Sequence, residues 1–210
     1  GGAQHAMTTV LATIASPGDT LLLDALTYPG AKALAGLLHL RTHGVAMDGA
    51  GMLPDALEAA CRKTGARVVY CMPTTHNPTG VTMSAERRAE LCAVARKYGL
   101  SVIEDDSYGP FDARAPEPLA ALMPERTYFV AGTSKTLTAG LRIGWLAAPA
   151  GEAAGVERLA ATVAATSWMA APLCAEIAAR WIASGAAERA VAWKRREARA
   201  RRKLFEKLVP

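Results

Sequence analysis

One lysine in this chain stands in surroundings unusual for its type. In "AGTSKTLTAGLRIGW" (131–145), Lys135 sits among glycines, threonines and a serine, and Arg142 follows seven positions later. A primary amine that acts as a nucleophile needs a site that lowers its pKa or holds it as an imine. Small neighbours let a bulky carbonyl compound approach. Arg142 offers a planar fork of donors suited to phosphate. Three other stretches carry groups of matching chemistry. In "PTTHNPTG" (73–80), Asn77 precedes a proline, which biases it toward an extended conformation, and its amide can donate to an anionic oxygen. In "EDDSYGPF" (104–111), three acids close an apolar run, and a carboxylate placed there is costly unless it meets a cation. "GGAQ" (1–4) runs into a helical pattern, whose first N–H groups face outward toward an anion.

Each stretch alone has a plain reading: a turn, a solvated acidic loop, a surface lysine, a glycine-rich helix start. Together they call for one ligand carrying a phosphate, a ring cation and an aldehyde. Pyridoxal phosphate has all three. It is bound through a lysine Schiff base with an acid against the pyridinium nitrogen, and Asp105 is placed for that partner, with Tyr108 near the same point.

These groups need a scaffold that brings them together. Short apolar runs at 20–26, 67–72, 100–104, 127–131 and 143–148, with a weaker one at 41–47, read as strands. They are mostly continuous rather than alternating, as for strands covered on both faces. Helical patterns lie between them at 3–15, after Pro29, at 54–64 and at 84–98, the last with Ser84 as N-cap and Gly99 as its stop. After residue 150 only helices are predicted: 151–166, 171–184 and 186–208. The alternation predicts an α/β fold with a mainly parallel sheet and helices on both faces. In such sheets ligands bind beyond the carboxyl ends of the strands, where three of the four stretches fall; "GGAQ" instead opens a helix.

Composition narrows the class. The chain has 210 residues, 51% of them hydrophobic, enough to bury a sizeable core. No run of about 18 apolar residues is present, which argues against a membrane span. Cys61, Cys71, Cys92 and Cys174 form no CxxC pair and read as reduced thiols of a cytoplasmic protein. His5, His39, His43 and His76 lack zinc-ligand spacing, so no metal is expected. The net charge is +5, yet residues 189–207 hold nine Lys/Arg against two acids, net +7, leaving −2 for the rest. Those charges recur on nearly every side of the 186–208 helix, and only Trp193 and Phe205 interleave them. This reads as a solvated helix rather than a nucleic-acid surface. The opening Gly1, without an initiator Met, reads as a cut start or part of a longer protein.

"HNPTG", "EDDSYGPF" and "SKTLTAGLRIG", in this order, resemble the class I/II aminotransferase superfamily of pyridoxal-phosphate enzymes, over essentially the whole chain. The short lysine-to-arginine spacing and "TSWMAAPLCAEIAARWI" (166–182) resemble its MocR branch, in which such a domain follows a GntR-type winged helix. The resemblance implies the three-layer large domain of that fold over 1–185, truncated at its N-terminus. It also implies that residues 186–210 form a basic helix leading toward a small domain largely absent from the chain. By the same resemblance Lys135 forms the Schiff base and carries the proton between Cα and the cofactor, and Asp105 pairs with the ring nitrogen. Asn77 and Tyr108 bond the phenolic oxygen, and Tyr28 of "TYPG" stacks on the ring. Gly2, Ala3, Gln4, Ser134 and Arg142 hold the phosphate. One departure stands out: many members have a hydroxyl residue where this chain has Gly132, so a phosphate contact is missing or supplied by Thr133. The implied activity is amino-group transfer between an amino acid and a 2-oxo acid. The alternative is an effector-sensing domain of a regulator, with DNA bound only by a module outside this chain. A homodimer is implied, as is a substrate-carboxylate arginine beyond Pro210.

Overall fold

The computed structural model describes residues 1–209. Its centre is a six-stranded sheet of β1 (Thr20–Asp24), β2 (Arg41–Val45), β5 (Val68–Cys71), β6 (Ser101–Asp105), β7 (Thr127–Gly132) and β8 (Gly144–Ala147). The order is β2-β1-β5-β6-β7-β8. All neighbours are parallel except β8, which runs antiparallel to β7 with Gly132 opposite Gly144. A two-stranded hairpin of β3 (Met47–Asp48) and β4 (Gly51–Met52) stands apart from the sheet and was not expected from the sequence.

Alternation along β1, β5 and β6 sends side chains to two separate cores. Leu22, Val69, Cys71 and Val102 meet α3 (Pro54–Thr64) and α4 (Ala85–Tyr98) on one face. Leu21, Leu23, Val68, Tyr70, Ile103 and Val130 meet α1 (Gly2–Ile14), α2 (Pro29–Leu37) and α7 (Ala153–Ser167) on the other. Burial on both faces is why these strands print as unbroken apolar runs. Each fully buried leucine contributes roughly 1.5–3 kcal/mol. The run 20–26 ends early as a strand because Ala25 and Leu26 emerge into solvent. All four cysteines are free thiols, three of them buried.

Local signals set the helix ends. Pro29, Pro54 and Pro172 open α2, α3 and α8 (Pro172–Ala183), where a missing N–H costs nothing. Ser84 Oγ accepts the Arg87 N–H at 3.2 Å, and Gly99 closes α4 in the left-handed conformation. Two single-turn helices, α5 (Leu119–Leu122) and α6 (Thr133–Thr136), follow strand ends or loops. The last element, α9 (Ala186–Leu208), has no fully buried residue. No helix among the described residues is long and apolar enough to cross a membrane.

Candidate active site

A cavity opens at the carboxyl ends of β5, β6 and β7. It is lined by Ala3, Gln4, Tyr28, Asn77, Asp105, Tyr108, Ser134, Lys135 and Arg142, together with Met7, Met72, Ser107 and Gly132. Nine of the ten residues singled out from the sequence therefore share one wall-to-wall space. The tenth, Gly2, adjoins it: a Cβ built there would lie 3.1 Å from Arg142 Nη2.

The three acids of "EDD" part company because a strand alternates. Glu104 points to the α4 side, where its carboxylate accepts the N–H groups of Leu119 (3.0 Å) and Ala120 (2.8 Å) and lies 4.0 Å from the Arg88 guanidinium. Burial nevertheless pushes its carboxyl up to about 7. Asp105 points into the cavity wall and is 3% exposed. Its Oδ2 accepts the Tyr70 hydroxyl at 3.0 Å, and its Oδ1 accepts Ser107 Oγ (2.6 Å) and the Ser107 N–H (3.0 Å). Burial, with Asp105 beside it, drives the Tyr70 phenol well above its ordinary range, so it is a permanent donor. Asp106 is half-buried, and desolvation raises its carboxyl to about 6. A buried carboxylate fixed by three donors is a suitable partner for a cationic ring N–H.

The same cavity holds a donor set suited to an anion. α1 starts at the cavity with no side-chain cap, so its first N–H groups are open. Arg142 Nη1 donates to Ser134 Oγ at 2.9 Å and Nη2 to the Gly1 carbonyl at 2.9 Å, which ties the arginine to the helix start. Two glycines let α1 approach this closely. A Cβ on Gly144 would lie 2.6 Å from Gly2 C and 2.8 Å from Ala3 N; one on Gly132 would lie 3.3 Å from Ala3 N. A side chain at 132 is thus opposed by the helix backbone. Thr133 does not replace the missing hydroxyl: it is fully buried and donates instead to the Ile143 carbonyl at 3.1 Å.

Lys135 lines the same cavity as these two groups. It makes no ion pair among the described residues, and its Nζ is 5.7 Å from the Tyr108 ring centre. The Tyr28 ring folds over Gly30, where a Cβ would penetrate it at 2.3 Å. Gln4 Nε2 reaches the Gly30 carbonyl at 3.4 Å, while its buried Oε1 has no partner. Anion donors, an exposed amine, an aromatic side chain and a fixed buried acid, gathered on one cavity, fit pyridoxal phosphate.

Sequence reasoning missed the supports. Tyr70 was one more apolar residue in "RVVYCM". Ser107, two positions after Asp105, is the expected place for an Asx-type turn and was findable. Arg88 is fully buried and donates to the carbonyls of Pro73, Met83 and Glu117 and to Thr74 Oγ1, which anchors the base of the Asn77 loop. His76 and Asp24 form a second buried pair at 3.5 Å beneath that loop.

Comparison with known proteins gives the family and the fold. Residues 1–209 match the family described as "Aminotransferase class I and II", and the chain belongs to that family. Among curated proteins it is 33% identical to the HTH-type transcriptional regulator YdeF of Bacillus subtilis, over 99% of this chain and 44% of that protein. It is 34% identical to aromatic-amino-acid aminotransferase 1 of Thermococcus litoralis, over 70% of this chain and 37% of that protein. Among solved structures, the kynurenine aminotransferase of Pyrococcus horikoshii superposes with a TM-score of 0.89 at 27% identity, covering all of this chain and 54% of that one. The chain thus spans about half the length of the proteins it matches.

Proposed function

We propose that this domain binds pyridoxal phosphate at the cavity and supports amino-group transfer between an amino acid and a 2-oxo acid. The observation that carries this reading is the convergence on one cavity of Asn77 from the loop after β5, Asp105 from the end of β6, Lys135 from α6 and Arg142 from the turn before β8. When bound, the cofactor supplies an aldehyde that condenses with amines and a ring that takes up the electron pair left when a proton departs from Cα. The α1 N-terminus, Ser134 and Arg142 hold the phosphate. Asp105, fixed by Tyr70 and Ser107, keeps a proton on the ring nitrogen. Asn77 and Tyr108 donate to the phenolic oxygen, and Tyr28 covers one ring face. Lys135 is the amine that holds the cofactor at rest and moves the proton at the substrate Cα. Residues 1–185 are the cofactor-binding part, and α9 leads toward a small domain. Free buried thiols fit a cytoplasmic setting, and we extend the reading to a homodimer.

A second reading is favoured by one observation: three of the similar curated proteins, YdeF among them, are named as HTH-type regulators and match nearly the whole chain. In that reading the same site senses the cofactor or an amino compound without turnover, and a module outside this chain binds DNA. The first experiment serves both readings. The protein is mixed with pyridoxal phosphate, reduced with borohydride and digested. The reduced cofactor is expected on the Lys135 peptide and absent in Lys135→Ala. Equal labelling of surface lysines in both proteins refutes both readings. Turnover of an amino acid with a 2-oxo acid by the full-length protein then separates them.

A further inference from the structure

The basic helix α9 has no task in the site described so far, and its charges look like those of a solvated helix. Half of it is not free. Ala187, Ala190, Val191, Lys194 and Arg195 form a half-buried face at helical spacing, whereas every residue described after Glu197 is exposed. On that face Lys194 Nζ donates to the carbonyl of Lys135 at 2.8 Å and to the carbonyl of Leu137 at 2.7 Å. Those carbonyls end the single-turn helix α6, where backbone acceptors have no partner within the helix and a cation is favoured. The next residue, Arg195, donates to the Pro110 carbonyl, in the turn Gly109–Phe111 that directly follows Tyr108. Leu137, Trp145, Ile182 and Val191 wall the cleft between α9 and these loops with apolar surface.

Two adjacent residues of one helix therefore grip the two loops that carry the amine and the phenol. We infer that Lys194 is a positioning residue for Lys135, and Arg195 for Tyr108, so that α9 sets the amine–phenol geometry of the site. The part of this that concerns chemistry rests on the function proposed above; the part that concerns loop order does not. A lysine suits position 194 because one ammonium satisfies two carbonyls at once. A displacement of α9 would be transmitted to Lys135 through them.

The test compares Lys194→Met, Lys194→Arg and Lys203→Met, the last removing the same charge from an exposed position on the same helix. Amide hydrogen exchange is followed in the cofactor-free protein. Lys194→Met is expected to speed exchange at residues 133–138 about tenfold, the size of a lost charge-assisted bond, and to leave the β6 amides unchanged. It is also expected to slow borohydride-dependent labelling of Lys135 by a similar factor. Lys194→Arg, which keeps a cationic donor, should restore most of both effects, and Lys203→Met should have neither. If Lys194→Met opens β6 as well, Lys194→Gln is measured instead and must still loosen 133–138 selectively. Identical behaviour of the Lys194 and Lys203 variants overturns the inference. Failure of the wild-type protein to label refutes the proposed cofactor, while the exchange result still decides whether Lys194 orders residues 133–138.

Discussion

Gly144→Ala tests whether the anion pole depends on the close approach of α1 to β7 and β8. The added Cβ would lie 2.6 Å from Gly2 C, 2.8 Å from Ala3 N and 2.9 Å from Gly2 O, all backbone atoms. Non-bonded carbon atoms prefer about 3.5–4.0 Å, so the helix start must retreat by roughly 1 Å. Overpacking of this kind costs about 1–3 kcal/mol, and in a domain of this size each kcal/mol lowers the melting temperature by about 2–4 °C. The same retreat weakens ligand binding. A hydrogen bond to a charged group is worth about 1.5–3 kcal/mol, and the displaced atoms are the open N–H groups of α1 and the Gly1 carbonyl that holds Arg142. The assay is a fluorescence titration with pyridoxal phosphate, run beside a thermal melt. Loss of one such bond lowers the affinity at least about tenfold, with pyridoxal, which lacks the phosphate, affected little. An affinity for pyridoxal phosphate within twofold of wild type, or an equal loss for pyridoxal, would refute the reasoning.

Three further predictions follow from the buried supports. Arg88→Met removes four bonds at the base of the Asn77 loop and strips Glu104 of its cation; it should lower the urea unfolding free energy by about 3–5 kcal/mol, and adding Glu104→Gln should recover part of that loss. Tyr70→Phe deletes the 3.0 Å bond to Asp105, and a bond to a charged acceptor is worth about 1.5–3 kcal/mol; denaturant melts should show that loss, and cofactor spectra should show a ring nitrogen that gives up its proton at lower pH. Burial raises the carboxyls of Glu104 to about 7 and Asp106 to about 6, so the folded protein binds more protons than the unfolded chain between pH 4 and 7. Stability should therefore decline as pH rises across that window, and Glu104→Gln should flatten the decline in pH-dependent chemical denaturation; a rise in stability from pH 4 to 7 would contradict it.

The sheet was legible because β1, β5 and β6 are covered on both faces and therefore read as unbroken apolar runs. Strand direction was not: β8 has the same kind of composition as its neighbours, and only pairing reveals that it runs antiparallel. The β3–β4 hairpin is two residues a side and leaves no periodicity to detect. Lys135, Arg142, Asp105, Tyr108 and Asn77 were legible as chemically distinctive residues following strands, and Ala3 and Gln4 as part of a glycine-led helix start, whereas Tyr28 and Ser134 came only with the family resemblance. The supporting residues were not legible, because support depends on facing. Arg87 and Arg88 are neighbours in one helix, yet Arg87 meets Asp48 at the surface and Arg88 is fully buried. Tyr70 reaches Asp105 only because β5 and β6 pair with Tyr70 opposite Ile103. Lys194 and Arg195 are two of nine basic residues in a row of similar ones, and nothing local marks them as the pair that docks.

Gly132 and Arg142 explain each other. The helix start lies so close to β7 that a Cβ at 132 would press on Ala3 N at 3.3 Å, so a side chain here requires the helix start to give by a few tenths of an ångström. Thr133 is committed to the Ile143 carbonyl. Under the proposed function the phosphate then depends on the α1 N–H groups, Ser134 and one full cation, Arg142. That arginine adopts φ 51° and ψ 36°, a left-handed conformation that side chains rarely take and that costs about 1–3 kcal/mol when held. The strain is retained because this conformation delivers one guanidinium both to Ser134 Oγ and to the Gly1 carbonyl. An arginine bonded to the first carbonyl before the helix fixes the anion donors to each other. What the loop lacks in hydroxyl groups at 132 it replaces with a pre-assembled cation and helix terminus, and that assembly exists only while Gly144 leaves room for α1.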